Sequence, residues 1–313
     1  MEISACGSPK FRLRGDSEIF MGTASLHFDA WSLAWHELWQ KLLPSCGHLD
    51  CLHKQGMWPR LRRKPGVVVQ GLRFCLDECL ERALTDALRH MISASPGEMA
   101  PHRVPLGLLL LSRQQLTKQQ LRTALAAQRT SGHGKIGEWL LTLGFVSEQQ
   151  VTAALARQWS CPVLRARSLN PVVLRAPRIP VTLLESFAMI PVDYVESSAT
   201  LHVAFGEGID YTVLYAIEQM LGCHTESCMA VPSFVRENLQ TFSRRREDSE
   251  VIFDRVSDEA ECSRIIRSYC ARLSASEIRM AACGPHVWVR LLRRSGPPLD
   301  LLLRTPTVPG PAT

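Results

Sequence analysis

Apolar side chains fall at helical spacing twice over in the middle of the chain. In "VPLGLLLLSRQQLTKQQLRTALAAQ", Val104 to Gln128, aliphatics recur three and four apart, give way to a polar turn, then resume. "GKIGEWLLTLGFVSEQQVTAALARQ", Gly134 to Gln158, repeats the pattern. That period predicts two helices per copy. Aligning Pro105 to Gln128 with Lys135 to Gln158 gives nine identities in 24 positions and five conservative pairs. Unrelated segments would share roughly two identities, so this is an internal repeat. Thr117 and Ser147 precede the second helix of each copy, where a hydroxyl accepts a backbone N–H from the first turn. Each copy is read as a helical hairpin, and the two bury their apolar faces together as a small bundle.

Around the repeat the period changes. Residues 163–243 alternate short apolar strands with helices. "TLHVAFGEGIDYTVLYAIEQML" reads as strand, turn and helix, with Gly206 and Gly208 in the turn. Residues 251–304 read as strand, helix, strand, strand, strand. Near the N-terminus, Trp31, Trp35 and Trp39 stand four apart on one helix face. "SASPGEMAPH" and "SRRREDSE" are read as linkers and "TPTVPGPAT" as a disordered tail.

With 313 residues, 46% hydrophobic and 21% charged, the chain is expected to be globular with two or three domains. Its net charge of +6 permits anionic ligands without requiring nucleic acid. No apolar run reaches the ~20 residues that span a bilayer; the longest, Leu106 to Leu111, is broken by Gly107. No secretory leader is evident, so a cytoplasmic protein with reduced thiols is expected. Its eleven cysteines are then metal ligands or small core residues.

Four cysteines have metal-like spacing. "CGHLDC" supplies Cys46 and Cys51, and "FCLDEC" supplies Cys75 and Cys79 at a helix start. A helix N-terminus favours thiolates, and two such pairs suit structural zinc. The intervening 23 residues can hold a β-hairpin, "PGVVVQGLRF". The layout resembles a treble-clef or zinc-ribbon finger. His48 or His53 could replace one cysteine, and four buried thiols are the alternative. Arg60, Arg62, Arg63 and Lys64 lie between the pairs; a basic finger can bind nucleic acid, although such a run more often forms a solvated loop. Cys223 and Cys228, with His224 between them in sequence, are read as subdomain residues with core thiols. Cys262, Cys270 and Cys283 lack metal-like spacing. His286 and Trp288 alternate on a strand.

The doubled phrase resembles the N-terminal domain of type II secretion and type IV pilus assembly ATPases. That family writes Arg-Leu-Gly, spaced aliphatics, a Gly, further aliphatics and a closing Gln, in tandem. The second copy matches at Lys135, Ile136, Gly137, Leu140, Leu141, Gly144, Phe145, Val146, Val151, Leu155 and Gln158. The first matches at Leu106, Gly107, Leu110, Leu111, Leu116, Leu121, Leu125 and Gln128. Pro105 stands at the first Arg position with Arg103 two residues back, Gln114 replaces a glycine, and Lys135 replaces the second Arg. A subset of the family binds cyclic di-GMP through this motif. By that resemblance, Arg103, Leu106, Gly107, Leu110, Leu121, Leu125 and Gln128 form one half of a ligand surface. Lys135, Ile136, Gly137, Leu140, Gly144, Val151, Leu155 and Gln158 form the other. Glycines would let backbone approach the ligand, and cations would stack on bases or meet phosphates. The alternative is that both copies only build the bundle, the glycines allowing close helix packing. The resemblance continues to Phe242, and "ASEIR" loosely resembles the start of the family's second N-terminal domain, with Glu277 and Arg279 at its Asp and His places.

No G-x-x-x-x-G-K-[ST] loop occurs, so the phosphate cradle of a motor is missing. The expectation is an α+β multi-domain protein: N-terminal extension (1–44), zinc finger (45–92), secretion-ATPase N-terminal-type domain (103–243) and an α/β remnant (251–305). Within 103–243, residues 103–160 hold the hairpins and 163–243 an α/β subdomain. It is expected to be a non-enzymatic regulator or adaptor partnered with secretion or pilus machinery. A scaffold with a decayed site and a zinc-finger DNA-binding regulator are the alternatives.

Overall fold

The computed structural model describes residues 46–48, 51, 66–75, 77–93, 103–165, 178–243 and 250–304. The tryptophan helix at 31–39, the basic run at 60–64, His53 and the C-terminal tail lie outside the described residues.

Among the described residues the fold is α+β with two sheets. A hairpin, β1 (Val67–Val69) and β2 (Leu72–Phe74), leads into helix α1 (Asp77–Ser93). The repeat follows as α2 (Leu106–Ser112), α3 (Lys118–Ser131), α4 (Ile136–Thr142) and α5 (Glu148–Gln158). Then come α6 (Val181–Ser186), β3 (Met189–Val195), β4 (Thr200–Phe205), α7 (Tyr211–Leu221), β5 (His224–Met229) and α8 (Pro232–Ser243). The C-terminal segment is β6 (Glu250–Phe253), α9 (Glu259–Leu273), β7 (Ala275–Cys283), β8 (His286–Arg293) and β9 (Leu299–Arg304). Strand, helix, strand, strand, strand is the expected order there.

The repeat folds as two hairpins with matching caps. Thr117 accepts from the Gln120 N–H while Gln120 accepts from the Thr117 N–H, and Ser147 and Gln150 do the same thirty residues later. Pairing is crossed between copies: α3 packs on α4 and α2 on α5. Leu110 and Leu140, equivalent by the repeat, are fully buried at the centre.

The turn between helices explains one departure in the first motif. Gly144 has φ of +67°, and Gln114, at the equivalent position, has φ of +58°. Both occupy the left-handed region, which glycine reaches without a Cβ penalty. The second glycine of the motif is therefore a turn residue, and a side chain built there would meet open space.

The larger sheet joins distant parts of the chain, in the order β2-β1-β7-β8-β9-β6. β1 runs parallel to β7, with Val68 opposite Glu277 and Val69 opposite Ile278. The sequence shows the finger and the C-terminal segment as separate; here they share a sheet. One face carries Ile278, Met280, Val287, Val289, Leu291, Leu301 and Leu303 in a core with α1 and α9. The other face carries Ala281, Cys283, Trp288 and Leu302 in a core that continues through α7 into the hairpins. Cys223 and Cys228 are buried, as expected of core thiols. The smaller sheet, β3-β4-β5, has α8 packed on β3 and β4.

A buried ion pair lies within the larger sheet. Arg290 and Asp300 are cross-strand neighbours on β8 and β9, and their side chains are 6% and 7% exposed. The guanidinium donates to both carboxylate oxygens at 2.7 Å, and the Trp288 indole N–H donates to Oδ1 at 2.8 Å. The Arg178 carbonyl accepts from the same guanidinium at 2.5 Å. Satisfied on both sides, the pair escapes the penalty of an isolated buried charge. Asp300→Ala removes one partner and is expected to cost about 3–5 kcal/mol in chemical denaturation. Gln114→Gly is expected to stabilise by about 1 kcal/mol and Gly144→Ala to destabilise by at least about as much, read from paired melts.

Candidate functional site

Two side-chain groupings carry chemistry: the tandem-motif surface and the four-cysteine cluster.

On the tandem surface the closing glutamines act as reciprocal clasps. Gln128, at the end of α3, donates its Nε2 to the Gly134 carbonyl at 2.8 Å, just before α4. Gln158, ending α5, donates to the Val104 carbonyl at 2.7 Å, just before α2. The two bonds are related by the thirty-residue repeat. Each ties the last helix of one hairpin to the entry of the other.

The motif glycines are packing positions. A Cβ on Gly107 would lie 2.8 Å from the Leu121 Cδ1, inside contact distance. On Gly137 it would lie 3.2 Å from Leu106 and 3.6 Å from Val151. Gly107 facing Leu121 and Gly137 facing Val151 are again one contact written twice. Leu106, Leu110, Leu140, Val151 and Leu155 belong to the hydrophobic core, and Leu121 and Ile136 pack against it. Their side chains are thus turned mainly inward.

The cations of the motif remain at the surface, and both engage protein groups. The Arg103 guanidinium stacks over Trp159, its carbon 3.1 Å from the ring centroid. Trp159 in turn meets Tyr211, with centroids 5.9 Å apart, and lies against Gly208. Lys135 Nζ is 2.6 Å from Glu207 Oε2. Glu207 stands between Gly206 and Gly208, in the turn that carries the chain into α7. The sequence reading missed Trp159, Glu207 and Tyr211. Trp159 follows the closing Gln158 directly, and Glu207 lies between two glycines already read as a turn; neither position belongs to the motif. Val104, next to Arg103 in sequence, and Tyr211, against Trp159, are 53% and 54% exposed. Hydrophobic surface and ring faces therefore adjoin the first cation.

The second grouping brings Cys46, Cys51, Cys75 and Cys79 together. One ligand atom from each lies within 4.8 Å of all the others, and the Cys51 and Cys75 sulfurs are 3.4 Å apart. Tetrahedral Zn–S bonds of about 2.3 Å place neighbouring sulfurs ~3.8 Å apart, so one zinc ion fits. The local folding reason is the tight hairpin. Gln70 and Gly71 have φ of +48° and +85°, the two left-handed positions of a type I′ turn. β2 then delivers Cys75 beside the start of α1, and Cys79 lies in that helix's first turn. The Gly47 N–H donates to the Arg73 carbonyl at 2.7 Å, fixing the Cys46 loop against the same strand. Burial first, then contact with the other thiols, pushes Cys75 up to about 12 and Cys79 up to about 11. A divalent cation reverses that preference, because thiolate is the ligand form. His48 is not among the four converging ligands.

Elsewhere, Arg279 at the family's His place donates to Glu277 at 2.7 Å and to the Met220 carbonyl near the end of α7 at 3.2 Å. It fastens α7 to β7. No helix among the described residues is long and apolar enough to cross a membrane.

No protein-family model matches the chain, and no curated protein matches it. Solved structures do. MshE with cdg (cyclic di-GMP) aligns at 26% identity over 45% of this chain and 99% of its own, with a TM-score of 0.37. The N-terminal domain of XpsE aligns in two crystal forms at 21% and 22% identity, over 43% and 42% of this chain and 91% and 89% of theirs, with TM-scores of 0.34 and 0.28.

Replacing both Gln128 and Gln158 by Ala removes the two clasps and is expected to cost about 1–3 kcal/mol in total, since each bond contributes about 0.5–1.5 kcal/mol. Gly107→Val is expected to cost more, through the clash with Leu121. Thermal melts of the full chain read both.

Proposed function

We propose that the chain is a non-enzymatic regulatory adaptor of a type II secretion or type IV pilus-like system. In this reading its tandem surface binds cyclic di-GMP, and its four cysteines hold a structural zinc ion. The observation that carries the ligand reading is the pseudo-two-fold relation of the two clasped hairpin entries, with Arg103 at one and Lys135 at the other. A two-fold dinucleotide suits two copies of one surface. Cations meet its phosphates or stack on its bases, and the exposed Tyr211 ring offers further stacking area. The adaptor role rests on the sequence resemblance.

A second reading, an interaction scaffold without a ligand, has its own support. Gly107 and Gly137 pack helices, Gly144 and Gln114 make turns, and both glutamines are clasps. Every one of these motif positions has work inside the protein.

Titration calorimetry of the full chain with cyclic di-GMP separates the two main readings. The expected result is micromolar or tighter binding, weakened on the order of tenfold or more by Arg103→Ala or Lys135→Ala. Saturating ligand should also raise the melting temperature, since occupancy at about 100 times Kd adds about 2.7 kcal/mol. No heat and no thermal shift at ~1 mM ligand would leave the scaffold reading standing alone.

A further inference from the structure

We propose that zinc bound by Cys46, Cys51, Cys75 and Cys79 is a folding ligand of the C-terminal α/β layer, residues 250–304, and not of the finger alone. No ligand comes from that layer. The inference rests on the reading that the four thiols bind zinc.

The coupling is visible on both sides of the finger. Its hairpin supplies the parallel neighbour of β7, with Val68 opposite Glu277 and Val69 opposite Ile278. The Gln70 N–H donates to the Ile278 carbonyl at 3.3 Å. Its helix, which begins between Cys75 and Cys79, packs on α9. Leu80, Leu84 and Leu88 of α1 share one core with Cys262, Ile266 and Cys270 of α9 and with Val287, Val289 and Leu301 of the sheet. Glu81 accepts from the Arg267 guanidinium, and its backbone carbonyl accepts from Ser263 Oγ at 3.4 Å.

Among the described residues the finger's strands are three residues each, and Leu84 and Leu88 of its helix are fully buried in a core shared with the downstream layer. The layer in turn uses α1 as cover for one face of its sheet. Elements that complete each other's core open together, so metal-binding free energy becomes folding free energy for both. The hairpins α2 to α5 lie in the other core, around Leu110 and Leu140, which reaches the opposite face of the sheet but contains no described residue of the finger or of α9. Their link to the cooperative unit runs through that far face and α7.

The test uses the full chain, purified under reducing conditions, with hydrogen exchange followed before and after removal of metal by a strong chelator. Elemental analysis comes first, with cobalt substitution to show thiolate ligation. Absence of bound zinc and of a cobalt–thiolate band would overturn the zinc reading itself, and the inference with it. With zinc present, the expected result of stripping is a loss of protection on the order of tenfold or more in 66–93, α9 and β7 together. Residues 106–158 should keep theirs, and added zinc should restore the rest. Loss confined to 46–93, with α9 and β7 unchanged, would overturn the inference while leaving zinc binding intact. Coupling is reciprocal, so the conservative Ile266→Val, far in sequence from all four zinc-binding thiols, is expected to weaken zinc affinity by roughly twofold to tenfold, read by equilibrium competition with a chromogenic chelator. An unchanged affinity would likewise overturn it.

Discussion

The constraint on which the larger domain depends is that β8 is buried on both faces. Val287, Val289 and Leu291 point one way, and His286, Trp288 and Arg290 the other. A central strand of that kind needs a helical layer on each side, and the chain takes those layers from far apart. α1 comes from the finger and α9 from the C-terminal segment to cover one face. α7 comes from the middle subdomain to cover the other. Arg290 is tolerable there because Asp300 lies directly across the ladder and accepts two of its hydrogen bonds, the Arg178 carbonyl accepting a third. The sheet is the point through which finger, subdomain and hairpins are connected.

Local features of the fold were legible because their causes are local. The two hairpins follow from helical periodicity and from Thr117 and Ser147, whose capping bonds form as the residue types require. "VWVRLL" reads as a strand because a segment buried on both faces is almost continuously apolar. The convergence of the four cysteines follows from a tight hairpin, signalled by Gln70-Gly71, that returns the chain beside its starting loop. Pairing of β1 with β7 was not legible. Val68 and Ile278 are more than two hundred residues apart, and nothing in either segment's own pattern specifies that neighbour. Linker-like composition at 93–102 suggested a boundary, and composition carries no information about which strand returns to which edge.

The candidate ligand surface shows the same division in finer detail. Its residues were found by the repeat, but the roles suggested for several of them change. The sequence leaves two roles open for Gly107 and Gly137, backbone approach to a ligand or close helix packing. In the structure Leu121, Leu106 and Val151 occupy that space. The glutamines hold the hairpin entries rather than leaving their amides free. Trp159, Glu207 and Tyr211 lay outside the motif, and only the tertiary fold brings them to Arg103 and Lys135.

The replacement of a glycine by Gln114 therefore bears on the turn and not on recognition. Both copies keep the same left-handed geometry, so the first hairpin accepts a small conformational penalty and retains its shape. What distinguishes the halves chemically is their entries. Arg103 lies on an indole face, and Lys135 lies on a carboxylate. An anion arriving at this surface meets one cation already stacked and the other already paired. The second must exchange Glu207 for the ligand, or share itself between them. The pseudo-symmetry of the backbone is thus broken at the positions where charge is presented. Any ligand that binds here is held by two unlike contacts on a nearly two-fold frame.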